Sequence, residues 1–331
     1  MNSFRTKISL SLIVIFTCIF FSYLNSFFHT PIIEKHSSES YFSISKGKTK
    51  DTATHMLKKN GLIDSFYRFK ILSFILYGSV DYKHGDYVII NSDTERTLLD
   101  KIVSGNTVKE RITIIEGMKF QDITNILEKN KYIDTSISNF SLYTPEILKD
   151  YYDTSYEGFC FPDTYIFSRN ISNNYILKKC FAKMGKILKH YWENRSKNLP
   201  YNSPYDLLIL ASIIEKETSN NLEKGKVASV FINRLNKKMR LQSDPTVIYG
   251  IKDFDGNLKR SHLKIKNKYN TYKIKGLPLT PICSPGEESI AAASKPSKTN
   301  YLYFVSNNKG SHIFSETYEE HKTNVNKYQK R

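Results

Sequence analysis

The chain has 331 residues, of which 40% are hydrophobic and 24% charged, enough for one large or two ordinary cores, so a disordered or fibrous protein is excluded. Cys18, Cys160, Cys180 and Cys283 lie far apart with no C-x-x-C pair, which removes a zinc knuckle and a disulfide-dense scaffold but leaves room for a Cys160–Cys180 bridge. A formal charge of +17 suits nucleic acid, an anionic membrane face or a carboxylate-bearing polymer; a lysine-rich solvated surface without a partner accounts for it equally well.

Ile8 to Phe28 is an uncharged run of 21 residues behind Arg5 and Lys7. As a helix it would cross a hydrocarbon core of about 30 Å. It is longer than the apolar part of a signal peptide and has no small-x-small cleavage site, so an uncleaved anchor is expected, with residues 1–7 as a cytoplasmic tail. Phe16 and Thr17 before Cys18 do not suit lipidation. Flanking charges are too balanced to orient the span, but a short inner N-terminus and a large outer domain are expected, which argues against nucleic acid as a partner.

Residues 29–40 read as a tether. Tyr41–Ser45 alternates like a strand, Asp51–Lys59 is helical with Ala53, Met56 and Leu57 on one face, and Asn60-Gly61 stops it. A second helix over Phe66–Leu76 and a strand at Asp86–Ile90 complete a strand-helix-helix-strand unit over 41–90. HMLKKNGLID (His55 to Asp64) is echoed by NILEKNKYID (Asn125 to Asp134), with Gly47 matching Gly117. The second copy predicts a strand at Ile112–Ile115 and a helix over Asp122–Lys129 with Ile123, Ile126 and Leu127 inward. Residues 91–150 form an α/β extension, and polar Thr144–Tyr156 places a boundary near 150.

In 151–331 the chemistry-bearing runs are closely spaced. Leu207 to Thr218 (LLILASIIEKET) is a helix too apolar for a surface face, and it ends in Glu215 and Glu217. A carboxyl group half-buried among aliphatic side chains is disfavoured as an anion, which suits it to donating a proton near neutral pH. Periodicity does not separate the two glutamates, and a solvated helix end fits the same letters. Val227–Leu235 is a second amphipathic helix. Met239–Gly250 gathers Arg240, Gln242, Asp244, Thr246 and Tyr249, a mixture that suits a sugar groove or the ordinary trim of a turn at Asp244-Pro245.

EGFCFPDTYIF (Glu157 to Phe167), LASIIEKET (Leu210 to Thr218), KVASVFINRL (Lys226 to Leu235), MRLQSDPTVIYG (Met239 to Gly250), YNTYKIKGLP (Tyr269 to Pro278), SPGEESIAAASKPSKTNYLYFV (Ser284 to Val305) and SHIF (Ser311 to Phe314) together resemble the YceG-like endolytic murein transglycosylases in order and spacing. The resemblance implies an α+β protein: a transmembrane helix, a small LysM-like module over 41–90, and a mixed α/β catalytic domain over 151–331. It implies a single-pass inner-membrane protein with its catalytic domain in the periplasm. It also implies cleavage of the MurNAc-GlcNAc bond within nascent glycan strands, leaving 1,6-anhydro ends and terminating elongation. The catalytic role falls on Glu217, with Glu215, Gln242, Asp244, Thr246, Tyr249, Asn270 and Tyr272 as groove residues.

Peptidoglycan strands and the membrane are the implied partners, with peptidoglycan synthases as candidates, and no cofactor or metal is expected. The alternative from another class is a non-catalytic, membrane-anchored peptidoglycan-binding module. Ser261-His-Leu-Lys264 fits S-x-x-K, but neither S-D-N nor K-T-G accompanies it, and no G-x-S-x-G or H-E-x-x-H occurs.

Overall fold

The computed structural model describes residues 2–32, 40–135, 143–151, 153 and 155–329. It is a mixed α/β structure in two compact units, one comprising residues 1–110 and 166–170 and the other residues 111–165 and 171–331.

The smaller unit holds helix α1 (Asn2–His29), strand β1 (Ser40–Ile44), helices α2 (Lys50–Lys59) and α3 (Phe66–Tyr77), strand β2 (Gly85–Ile89) and helix α4 (Glu95–Ser104). β1 and β2 pair antiparallel from Ser40 opposite Ile89 to Ile44 opposite Gly85. Alternation along both strands sends Phe42, Ile44, Tyr87 and Ile89 into a core that α2 fills with Ala53 and Leu57, α3 with Phe69 and α4 with Leu98, Leu99 and Ile102. Helices α2, α3 and α4 each start on a hydroxyl cap: Thr49 accepts from the Thr52 amide, Ser65 from Arg68, and Thr94 from Thr97. The four elements expected over 41–90 are present within about one residue of their expected ends. Helix α4 falls in the stretch read only as an extension, because its short apolar stripe is broken by charged neighbours.

The residues of α1 from Ser11 to His29 are apolar and long enough to cross a membrane, and this stretch is almost wholly uncovered. Its end is the exception. Phe27 is fully buried in the core of the smaller unit. Arg68 of α3 donates to the Tyr23 carbonyl at 2.8 Å and the Ser26 hydroxyl at 2.6 Å, and pairs with Glu95 at 2.5 Å. The chain after α1 is held as well, since the Ile32 amide donates to the Asp93 carbonyl at 2.7 Å. The expected tether is therefore fixed at its start; residues 33–39 lie outside the described residues.

The larger unit takes up the chain within strand β3 (Lys109–Thr113) and continues through α5 (Phe120–Glu128), β4 (Ile133–Asp134) and a single 3₁₀ turn at Glu146–Leu148. Strands β5 (Thr164–Ser168) and β6 (Ile171–Ser172) and the long helix α6 (Asn173–Glu193) follow. The remainder is α7 (Pro204–Glu217), α8 (Asn221–Asn236), α9 (Asp244–Tyr249), α10 (Glu287–Ser294), the hairpin β7 (Tyr303–Ser306) and β8 (His312–Ser315), and α11 (Tyr318–Tyr328). Helix α7 is the axis, packed by α6, α8 and α10. Its residues from Leu207 to Ile214 are all buried, as a helix apolar on every side requires. A capping box fixes its start: Ser203 accepts from the Asp206 amide, and Asp206 accepts from the Ser203 amide.

The division falls at residue 110 rather than near 150. The polar segment expected to be a boundary folds onto the larger unit, with Leu148 fully buried and the Tyr151 ring stacked on Tyr205 at 4.2 Å. The internal echo does correspond to like structure, since Gly47 and Gly117 each enter their helix through left-handed backbone, at φ 82° and 80°. Its two copies nevertheless lie in different units, so it is no tandem module.

Cys160 and Cys180 are joined, tying the loop before β5 to α6. Closing a loop of this size stabilises a fold by about 3 kcal/mol, chiefly by restricting the unfolded chain. A Cys160→Ser/Cys180→Ser variant should lose about that much in denaturant unfolding, and alkylation without reductant should modify Cys18 and Cys283 of the denatured native chain but neither Cys160 nor Cys180.

Candidate active site

The two glutamates at the end of α7 have opposite surroundings. Glu215 faces α8 and α10, where its Oε2 accepts from Lys224 Nζ at 3.3 Å, the Gly286 amide at 3.0 Å and Ser289 Oγ at 2.6 Å. The Lys224 and Glu215 side chains are 2% and 7% exposed, so this is a buried ion pair completed by the N-terminus of α10. Glu217, the last residue of α7, turns into a cleft and, among the described residues, receives one hydrogen bond, from Ser243 Oγ to its Oε1. Burial raises its pKa to about 7, the nearby Asp244 charge adds to the shift, and the Ser243 bond and Arg234 only partly oppose it. Near neutral pH this group holds a proton much of the time, and a cleft is open in front of it.

The cleft encloses about 460 Å³. Its floor and one wall come from Glu217, Arg234, Gln242, Asp244 and Tyr272; Tyr303, Phe304 and His312 of the hairpin and Tyr318 and His321 of α11 supply the other. Tyr272 donates to Asp244 Oδ1 at 2.7 Å, which aims that carboxylate. Gln242 stands at the cleft with φ 50°, an uncommon left-handed conformation for a residue with a side chain. Arg234 is 8% exposed and donates from Nη1 to the Leu241 carbonyl at 2.6 Å and from Nε to the Leu302 carbonyl at 2.7 Å, which braces the cleft. His312 is set by Glu223, which accepts from its backbone amide at 3.0 Å and meets Nδ1 at 2.9 Å.

Of the residues expected to line the groove, Gln242, Asp244 and Tyr272 do so beside Glu217. The others stand behind it. Thr246 is fully buried; its hydroxyl meets the Ser243 carbonyl at 2.6 Å and Thr271 Oγ1 at 2.8 Å, while Thr271 Oγ1 accepts from the Ser243 amide at 2.9 Å. That knot holds the serine that touches Glu217. Asn270, also fully buried, donates to the Ile265 carbonyl at 2.6 Å and accepts from the Tyr272 amide at 3.0 Å, fixing the loop that carries Tyr272. Tyr249 points away and donates to Glu157 Oε2 at 3.0 Å; Glu157 Oε1 in turn accepts from the Phe120 amide at 2.8 Å. Glu215 is an anchor for the helices, so its place among the groove residues is corrected by its partners.

Sequence reasoning did not single out Ser243, Arg234 or the aromatic wall of Tyr303, Phe304, Tyr318 and His321. Arg234, Ser243, Tyr303 and Phe304 were marked only by membership of longer runs, VFINRL, LQSDP and NYLYFV, and Tyr318 and His321 by nothing, because the residues meet only after β7, β8 and α11 fold back.

A sequence model described as the YceG-like family matches residues 42–327. An endolytic murein transglycosylase of Bacillus subtilis (strain 168) is 31% identical over 316 residues, covering 89% of this chain and 87% of that protein. One of Streptococcus pneumoniae serotype 2 (strain D39 / NCTC 7466) is 27% identical over 305 residues, and there the match covers 81% of this chain but 54% of the longer relative. The crystal structure of a YceG-like protein from Listeria monocytogenes superposes with a TM-score of 0.56 at 28% identity, over 86% of this chain and 98% of its own. On the family match, which spans most of its length, the chain belongs to the YceG-like family.

Proposed function

We propose that the chain is an endolytic murein transglycosylase that cuts peptidoglycan strands between MurNAc and GlcNAc, with Glu217 as its acid and base. The observation that carries this is the contrast on α7: Glu215 is consumed by a buried lysine and two further donors, whereas Glu217 keeps a raised pKa in an open cleft. Family membership and the likeness to the endolytic murein transglycosylases of Bacillus and Streptococcus support the substrate class.

In the reaction, the Glu217 carboxylic acid donates its proton to the glycosidic oxygen, the bond from that oxygen to MurNAc C1 breaks, and GlcNAc leaves with a free 4-hydroxyl. Positive charge gathers on the MurNAc ring, where the Asp244 carboxylate, steered by Tyr272, stabilises it. The 6-hydroxyl oxygen of the same MurNAc then bonds to C1 and its proton passes to the Glu217 carboxylate, which regenerates the acid and closes the 1,6-anhydro ring. The nucleophile is tethered, so water is not consumed and one carboxyl serves both steps. Tyr303, Phe304 and Tyr318 line the cleft with aromatic surface for the apolar sides of the sugars, and the buried hydroxyls around Ser243 keep the acid in place.

The Ser11–His29 helix fits a single membrane span, with both soluble parts on the outer, periplasmic side of the inner membrane. The Cys160–Cys180 bridge supports that side, because disulfides persist in oxidising compartments. The β1-α2-α3-β2 unit is LysM-like in element order and would hold glycan near the membrane, with peptidoglycan synthases as candidate partners.

Purified full-length protein incubated with peptidoglycan should yield fragments ending in 1,6-anhydroMurNAc by mass spectrometry, and Glu217→Gln should yield none. Reducing ends would make it a hydrolase; sacculi bound but uncut by the native chain would make it a binding module. Glu215→Gln should behave differently, losing about 3 kcal/mol in denaturant unfolding by leaving Lys224 buried without a counter-charge. The rate of cleavage should fall as pH rises through about 7, where Glu217 gives up its proton. Because its folded pKa lies above the unfolded value, the native state holds the proton more tightly. Stability is therefore lost as pH rises from about 4.5 to about 7, so Glu217→Gln should gain about 3 kcal/mol over the native chain at pH 8 and little at pH 4.

A further inference from the structure

Helix α3 is as apolar as a core helix but only half of it is covered. Arg68, Phe69, Leu72 and Ser73 face inward, while Tyr67 is 75% exposed, Ile71 59%, Phe74 62% and Ile75 68%. These four positions share one stripe, i, i+4, i+7 and i+8. Water-facing rings and aliphatics at this density on one short helix need a cover.

The covered side of α3 shows what that cover is. Arg68, one residue beyond Tyr67, grips the last turns of α1 through the Tyr23 carbonyl and Ser26 hydroxyl, and lies 4.5 Å from the Tyr23 ring centroid. Phe69 and Phe27 meet edge to face at 6.0 Å. Tyr23 lies six residues, about 9 Å of helical rise, before the end of the apolar run at His29. The start of α3 is thus held level with the outer end of the span. Beside the stripe, Ile71 and Phe74 form a hollow with Lys50, Lys70 and Ser79. Lysines rimming an apolar hollow place their stems against hydrocarbon and their ammonium groups at lipid phosphates.

We propose that the Tyr67, Ile71, Phe74 and Ile75 face of α3 lies in the headgroup and upper acyl region of the bilayer's outer leaflet, with Lys50 against anionic lipid phosphates and Lys70, paired with Asp51 at 2.9 Å, at the rim of the same hollow. This rests on the reading of α1 as a membrane span. The smaller unit would then be seated on the membrane, not suspended above it.

The test uses the full chain reconstituted into vesicles of phosphatidylglycerol and phosphatidylcholine, with an environment-sensitive fluorophore on a single cysteine and nitroxide-bearing lipids as quenchers. Label on the native Cys18 reports the span. Label on Phe74→Cys or Ile71→Cys reports the α3 face and label on Leu222→Cys, a 90% exposed position of the larger unit, is the control; all three are made in chains with Cys18→Ser, and the native Cys283, fully buried, is replaced by Ser in every chain so that one thiol takes the label. The expected result is loss of emission at Cys18 with mid-chain nitroxides, loss at positions 71 and 74 with nitroxides near the headgroup, and no loss at 222. Quenching at Cys18 with none at 71 and 74 overturns the proposal and leaves the span standing. Self-quenching between labelled chains at 71 and 74, with no effect of nitroxide lipids there, assigns the face to a second copy and also overturns it. No quenching at Cys18 removes the span, and the proposal with it.

Discussion

The Glu215 carboxylate is the tie on which the larger unit depends. It lies where α7, α8 and α10 converge, accepting at once from a lysine of α8 and from the first turn and cap of α10. Removing two charges from water is costly, and it is tolerated here because three donors, one of them charged, converge on the carboxylate's Oε2. The consequence reaches two residues along the chain. With α7 locked in rotation by Glu215, the next glutamate on the helix has no freedom over where it points, and it points into the cleft.

The cleft itself is assembled from buried hydroxyls and amides more than from charges. Ser243, Thr246 and Thr271 satisfy one another at the base of α9, and Asn270 fixes the neighbouring turn. Such networks are stiff when complete and costly when broken. They hold Ser243 against Glu217 and Tyr272 against Asp244 without themselves needing to meet a ligand. The left-handed backbone at Gln242 belongs to the same design, since strain of this kind persists where surrounding contacts over-determine it.

Much of this was legible in the residues. Alternation and helical periodicity located the elements of the 41–90 unit, because each carries its own apolar stripe and cap. The all-round apolar character of Leu207 to Ile214 marked the core helix and the acids at its end. What periodicity could not do was choose between Glu215 and Glu217, for that choice is made by Lys224, Gly286 and Ser289, two of them about 70 residues downstream. The same limit explains Thr246, Tyr249 and Asn270: their residue types suited a sugar groove, yet buried scaffolding uses the same types for the same hydrogen bonds. The boundary near 150 failed for a related reason, since a polar segment reads as a linker until a buried Leu148 and a stacked Tyr151 are seen to dock it.

The grip of Arg68 on α1 has a mechanical meaning. In many anchored proteins the linker after the span acts as a leash whose length sets how far the globular part can wander. Here the last turns of the helix are already part of the globular core, through Phe27, and the chain at Ile32 is stitched to Asp93. The stand-off of the smaller unit from its own apolar helix is therefore a property of side-chain packing and of the Ile32–Asp93 stitch, set before any leash begins.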